Sequence, residues 1–284
     1  MVCSHPGRIR FASRVVLGLL VLSVSAASAQ DEAEAKRRLE LMQAAVGSLE
    51  PEASGSLPKT ALTFSAKPLL RYSDPTRGGI QTVVTNVLLD GGVWRLGTEG
   101  RPRALVTVEI YQAPDRSRVL AFEFLSLSET KCSLKHKTEK IRWDPTGSAL
   151  QLKELPDAPK PAATAPARLV QMRQLVRRFG AKERLNNELI ECRLMTQPID
   201  RYKSEAEKIV DGAIFAFANG TNPEVGVVFE SDGERWRYGT LRLSASELRI
   251  TLDGRQVAAY DRFNARGRTD GSYHNASHTI ERGK

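Results

Sequence analysis

Four charged residues stand where chemistry could use them. Arg71 and Arg201 each precede a tyrosine, and Glu109 and Glu230 each sit inside a run of β-branched and apolar residues. Arginine forks bind anions in bidentate fashion, and a glutamate among apolar neighbours can serve as a general acid. Two carboxylates about 5 to 10 Å apart are the machinery of a glycoside hydrolase, so Glu109 and Glu230 define one catalytic expectation. As binding residues, the four would form two pseudo-symmetric polar sites. The plainer expectation is a cross-strand pair in each region, Arg71 with Glu109 and Arg201 with Glu230, supporting the wetter face of a sheet. Such a surface pair contributes about 0 to 1 kcal/mol and needs no further function; this is the preferred reading.

Other chemistry is thinly supplied. The sequence has no G-x-S-x-G, phosphate-binding loop, G-x-G-x-x-G after a strand, H-E-x-x-H or C-x-x-C. Beyond the leader the histidines are His136, His274 and His278. His274 and His278 have i,i+4 spacing, which would put two ligands on one helix face, but they fall in a polar tail with little helical character. No metal site and no cofactor are expected. Cys132 and Cys192 remain after the leader, and in an oxidising compartment they could form one disulfide, closing a loop of about 60 residues.

The elements that must position these residues occur twice. Shifting the chain by 130 residues places Pro68, Arg71 and Tyr72 on Pro198, Arg201 and Tyr202, and Arg38, Leu39, Met42, Val46 and Leu49 on Arg168, Leu169, Met172, Val176 and Phe179. Steps of three and four residues make each set the apolar stripe of a helix. After a nine-residue insertion in RGGIQTVVTNVLL, the offset becomes 121. Asp90-Gly91 then meets Asp211-Gly212, Trp94 meets Phe215, and Glu109 meets Glu230. The Asp-Gly pairs read as turns, and Tyr72, Tyr202, Trp94 and Phe215 as core. Runs such as ALVTVEIY and VGVVFE read as strands.

Residues 1–29 have the three parts of a secretory signal: Arg8, Arg10 and Arg14, then an apolar run, then Ala27-Ser28-Ala29, so cleavage is expected between Ala29 and Gln30. Of the formal charge of +9, three units belong to that leader, leaving +6 spread along the remainder. That diffuse excess makes nucleic acid a poor expectation; an envelope protein, a lipid or an acidic polymer fits better. The expected organisation is a signal at 1–29, a helix-plus-sheet repeat at 30–154, a Pro/Ala linker at 155–166, a second repeat at 167–264 and a disordered basic tail at 265–284.

The expected fold class is α+β: two tandem helix-plus-antiparallel-meander repeats in the style of cystatin-like or NTF2-like units, or the same meanders merged into one larger curved sheet or open barrel. KPLLRYSDPTRGG, VWRLGTEGRPRALVTVEIY, LPDAPKPAATAPARLVQMRQLVRRF and DGAIFAFANGTNPEV resemble a family of uncharacterised exported proteins of planctomycete bacteria. The resemblance covers Glu32 to Phe263 and implies export; it brings no activity and no assigned residues. The leading functional expectation is a non-catalytic exported envelope protein that binds a partner, or an apolar or acidic ligand, in the concavity between helix and sheet. The alternatives are the carboxylate-pair hydrolase and a purely structural or assembly component.

Overall fold

The structure is a computed structural model that describes residues 16–53, 62–74, 87–130, 132–264 and 267–281, with side chains described over 31–52, 62–73, 87–130, 132–264 and 267–280. The arginines expected to begin the leader and most of the insertion expected before Asp90 lie outside these residues. The chain divides into two compact units, Met1–Leu41 and Met42–Lys284. Helix α1 (Val16–Gly47) runs through the division and spans the expected cleavage point at Ala29 and Gln30. In the first unit it carries i,i+4 pairs, Arg38 with Glu34 and Lys36 with Glu40. Among the described residues no helix is long and apolar enough to cross a membrane.

The second unit is mainly antiparallel sheet with few helices, so α+β holds only in that coarse sense. Its strands are β1 (Leu49–Ala53), β2 (Leu70–Asp74), β3 (Val87–Leu96), β4 (Ala104–Gln112), β5 (Arg118–Ser126), β6 (Cys132–His136), β7 (Arg142–Trp143) and β8 (Lys153–Glu154). After helix α2 (Ala165–Leu175) come β9 (Phe179–Leu185), β10 (Glu188–Leu194), β11 (Asp200–Ser204), β12 (Ile209–Asn219) and β13 (Asn222–Ser231). The chain ends with β14 (Trp236–Arg242), β15 (Leu248–Leu252), β16 (Arg255–Tyr260) and β17 (Tyr273–Glu281).

Pairing runs in matching order on the two sides of α2. The order β1-β6-β7 is paralleled by β9-β15-β16, and β2-β3-β4-β5 by β11-β12-β13-β14. The strand after each series then completes the other: β8 pairs with β14, and β17 pairs with β5 over most of its length. Strand β10 bridges two groups, with Glu188–Cys192 on β9 and Arg193–Leu194 on β12, and the nine-stranded sheet curls into a half-barrel. Its ends approach where the Tyr260 hydroxyl donates to the Thr240 carbonyl at 2.8 Å.

Helix α2 begins at Thr164, whose hydroxyl accepts from the Ala167 amide, with Pro166 at the start, where a missing N–H costs nothing. Met172, Leu175 and Val176 form one apolar cluster with Phe179, Phe215, Phe217, Val227, Phe229, Trp236 and Ile250. The concavity expected to hold a ligand is therefore filled by the helix's own side chains. Met42, Val46 and Leu49 are buried at the matching positions. Leu49 and Phe179 close their stripes as the first residues of strands, beyond the helices, which end earlier than the periodicity alone implies. A second cluster, including Tyr72, Val93, Leu105, Leu125, Tyr202, Ile214, Val228 and Leu241, combines residues of β2–β5 with residues of β11–β14.

Residues 155–164, in the segment expected as a linker, form neither helix nor strand and are held against the second sheet: Leu155 is buried, its amide donates to the Trp236 carbonyl, and Arg168 binds the carbonyls of Ala162 and Ala163. One expectation, about the tail, is corrected. The tail expected to be disordered supplies β17, because the open edge of β5 rewards backbone pairing even by a polar strand.

Candidate functional site

The two tyrosine motifs enter sheet interiors through the same three-strand row. Tyr72 on β2 lies opposite Gly91 on β3, which lies opposite Glu109 on β4. Tyr202 on β11 lies opposite Gly212 on β12, which lies opposite Glu230 on β13. Each tyrosine ring lies across the glycine of the middle strand and its hydroxyl donates to the glutamate beyond, at 2.8 Å in both rows. A Cβ on Gly91 would stand 2.7 Å from the Tyr72 ring, and one on Gly212 would stand 2.4 Å from that of Tyr202. The glycines are thus required by close approach inside strands, and Asp90-Gly91 and Asp211-Gly212 are not the turns their composition suggests.

Alternation places the arginine and aspartate of each motif on the opposite face. Arg71 grips Asp90 at 2.9 and 2.6 Å, and Arg201 grips Asp211 at 2.9 and 2.7 Å. Asp211 also accepts from Arg168 of α2 at 2.9 Å, which ties the helix to the sheet. The expected Arg71–Glu109 and Arg201–Glu230 pairs are replaced by Arg–Asp and Tyr–Glu pairs. Arg71 and Tyr72 cannot both reach Glu109, because neighbouring residues of a strand point to opposite faces.

The glutamates differ in a further donor among the described residues. Glu109 accepts a second phenol, Tyr111, at 2.7 Å. Glu230, fully buried, accepts two bonds from Arg101 in the β3–β4 loop at 2.6 and 2.7 Å. Burial, followed by the nearby carboxylates, raises the pKa of Tyr72, Tyr111 and Tyr202 well above that of an ordinary phenol. Burial works against charge on Arg101, but its bonds to Glu230 hold its pKa above the ordinary guanidinium value. Neither carboxylate is open for proton transfer in this arrangement, since each is already engaged by neighbouring donors. Farther along, Glu123 accepts from Tyr273 at 2.8 Å, and desolvation followed by the neighbouring Glu109 charge raises its pKa.

The loop that carries Arg101 also borders an open recess. A groove of about 1150 Å3 lies between the β3–β4 loop and the β11–β12 hairpin. Its walls include Arg95, Arg103, Arg201, Lys203 and Lys208, with Glu99, Glu205, Glu207 and Asp232. Arg95 is fixed by Asp200 at 2.8 and 3.1 Å and by the carbonyls of Gly97 and Gly100. Desolvation raises the Asp200 pKa against the opposing pull of Arg95. Gly100 has φ of +64° and approaches Ser204 so closely that an added Cβ would lie 3.2 Å from the Ser204 Cβ. Lys203 and Lys208 are exposed and make no ion pair among the described residues.

Cys132 and Cys192 are each buried and no disulfide joins them. They lie on β6 and β10, strands of different sheets, so the expected crosslink is corrected. Burial pushes the Cys132 thiol up to about 11. His274 and His278 lie on one face of β17, where a four-residue step spans about 13 Å. Among the described residues there is no group of three or more metal-ligating side chains arranged to hold an ion. The groove and the tyrosine row were missed in the sequence: the row carried a signal, a Tyr-Gly-Glu recurrence at fixed offsets, whereas the groove is assembled by loop packing. No protein-family model, curated protein or solved structure matches the chain.

Proposed function

We propose that this is a non-catalytic exported envelope protein whose two helix-plus-meander repeats form a scaffold for binding an acidic ligand or polymer. Export follows from the leader and its A-x-A junction before Gln30. The matching pairing order and the two tyrosine rows support the repeat reading. The observation that carries the function is the groove beside Arg101, where Lys203 and Lys208 stand exposed beside the fixed guanidinium of Arg95. Cations on a groove wall attract an anionic chain through unscreened Coulomb terms that salt weakens. The engaged state of Glu109 and Glu230 weighs against the hydrolase alternative.

Fluorescently labelled polygalacturonate added to the mature chain at low ionic strength should bind, weaken as salt rises, and lose at least about tenfold affinity in Lys203→Glu/Lys208→Glu, a loss equivalent to about 1.4 kcal/mol. Equal binding by the double variant, or binding insensitive to salt, would remove the groove as the site. Release of reducing ends during the same incubation would favour the hydrolase instead.

A further inference from the structure

The C-terminal strand brings two histidines into an aromatic interior, in a place that the binding groove does not use. On β17, His274 and His278 share one face, and their rings stack on Phe124 and Phe122 of β5, with centroids 6.1 and 6.0 Å apart. His136 of β6 meets the edge of His278 at 5.9 Å and that of Phe122 at 6.0 Å. Trp143 of β7 stacks on Phe124 at 5.5 Å. His274 is 6% exposed, and the Nδ1 atoms of both His274 and His278 are buried with no hydrogen-bond partner among the described residues.

We propose that β17 is a pH-gated strand: acidification charges His274 and His136 against the aromatic rings around them and releases the strand, baring the edge of β5. In the neutral state a buried imidazole nitrogen without a partner costs little, since it is a lone pair against aromatic rings. In the charged state the same nitrogen of His274 is a buried cationic donor with nothing to receive it, while the Nδ1 of His136, which accepts from the Thr138 and Glu139 amides, would have to give up those bonds to take a proton. The groups facing the cluster do not offset that charge. On this face β5 presents Leu120, Phe122 and Phe124 up to Arg118 at its end, and β4 presents Val106, Val108 and Ile110. His136 of β6 and Trp143 of β7 meet the same rings. Glu139, in the β6–β7 turn, is the acidic side chain that acts on His136, and the Arg268 backbone bonds His274.

Burial lowers the pKa of His274 and, together with the neighbouring His278 charge, that of His136. A lowered folded-state value means that the released state binds more protons, so the docked strand is fully favoured above the ordinary histidine value of about 6.5 and loses ground as pH falls through the lowered values. The start of β17 is held by other means. Arg242 lies 4.6 Å over the Tyr273 ring, Trp143 donates to the Gly271 carbonyl at 2.8 Å, and the Ser126 amide donates to the Ser272 carbonyl. Release therefore begins beyond Tyr273 and leaves the connector attached.

Proton NMR of the intact protein, titrated from pH 7.5 to pH 4.5, tests this without a variant. The imidazole shifts of His274 and His136 should move together with loss of the β17 and β5 amide signals, while those of β12 and β13 persist. Histidine titration with β17 amides unchanged, or simultaneous loss of all sheets, would overturn the proposal. Limited proteolysis gives a second readout: cleavage within residues 275–281 should rise several-fold between pH 7.5 and pH 5 in the wild type, the direction that lowered folded-state values set. It should stay flat in His274→Phe/His136→Phe, and a variant that tracks the wild type would also overturn the idea.

Discussion

The row Tyr72–Gly91–Glu109 and the row Tyr202–Gly212–Glu230 have the same strand register and the same 2.8 Å bond, yet their other described donors come from different places. Among the described residues Glu109 accepts from a second phenol on its own strand, whereas Glu230 accepts two bonds from a guanidinium delivered by a loop of the other strand series. The difference separates two duties that the shared row hides. The tyrosine and glycine fix the packing of three neighbouring strands; the third partner sets how strongly that packing depends on charge. In the Glu109 row the tie is local, since Tyr111 lies on the same strand as the glutamate. In the Glu230 row Arg101 fastens the β3–β4 loop to β13, so a single residue joins sequence-distant parts and also shapes one wall of the groove.

The largest expected break of this comparison is Arg101→Leu. It would leave Glu230, with no solvent exposure, charged beside Tyr202 alone. Removing one partner of a buried ion pair costs about 3 to 5 kcal/mol, and urea unfolding should report a loss of that size. A loss below about 1 kcal/mol would mean that Glu230 does not depend on the arginine. Groove binding should weaken in the same variant, because the loop that forms its wall is no longer fastened.

Next in size are the glycines. Gly212→Ala and Gly91→Ala each force a Cβ against a tyrosine ring, at 2.4 and 2.7 Å, and overpacking of this kind costs about 1 to 3 kcal/mol, with the Gly212 site the more sensitive. The mechanism is checked by a double-mutant cycle: in Tyr202→Ala the added methyl at residue 212 should be tolerated, giving strong positive coupling. Additive losses would show that backbone strain, and not the ring, makes glycine necessary.

Much of this was legible as a list of residues and little of it as a set of bonds. Offsets of 130 and 121 brought together every member of both rows, because the glycine and glutamate stand 18 residues apart in both series and the nine-residue insertion before Asp90 changes only the step from tyrosine to glycine. The pairing was misread for two physical reasons. Asp-Gly is a strong turn signal, and nothing local shows that its glycine lies under a ring contributed by a neighbouring strand. Strand alternation forbids Arg71 and Tyr72 from sharing a face, but deciding which one faces Glu109 needs the register, a property of the assembled sheet. The helix stripes at Met42, Val46, Met172 and Val176 were readable because they are periodic and local. Strand β17 was hidden by its polarity: its place is earned by backbone pairing and by aromatic contacts to β5, neither of which leaves an apolar alternation in YHNASHTIE.

The smallest expected effect is also the one that compares the rows most directly. Tyr72→Phe and Tyr202→Phe each remove one hydroxyl and leave the ring over its glycine, so packing is preserved and the change is confined to the bond with the glutamate. Losing a buried hydrogen bond to a charged acceptor costs about 1.5 to 3 kcal/mol when the acceptor has little else and less when strong donors remain. Glu230 keeps both bonds from Arg101 when Tyr202 loses its hydroxyl, so its carboxylate is still held. In the Arg101→Leu background the phenol is the described donor left, and Tyr202→Phe should cost about 1 kcal/mol more there than in the wild type. Tyr72→Phe should cost the same in both backgrounds, because Arg101 binds the other row. Paired urea titrations of the single and double variants measure this difference; an equal cost of Tyr202→Phe in the two backgrounds, or a Tyr72→Phe cost that changes with Arg101, would show that the donors do not act row by row.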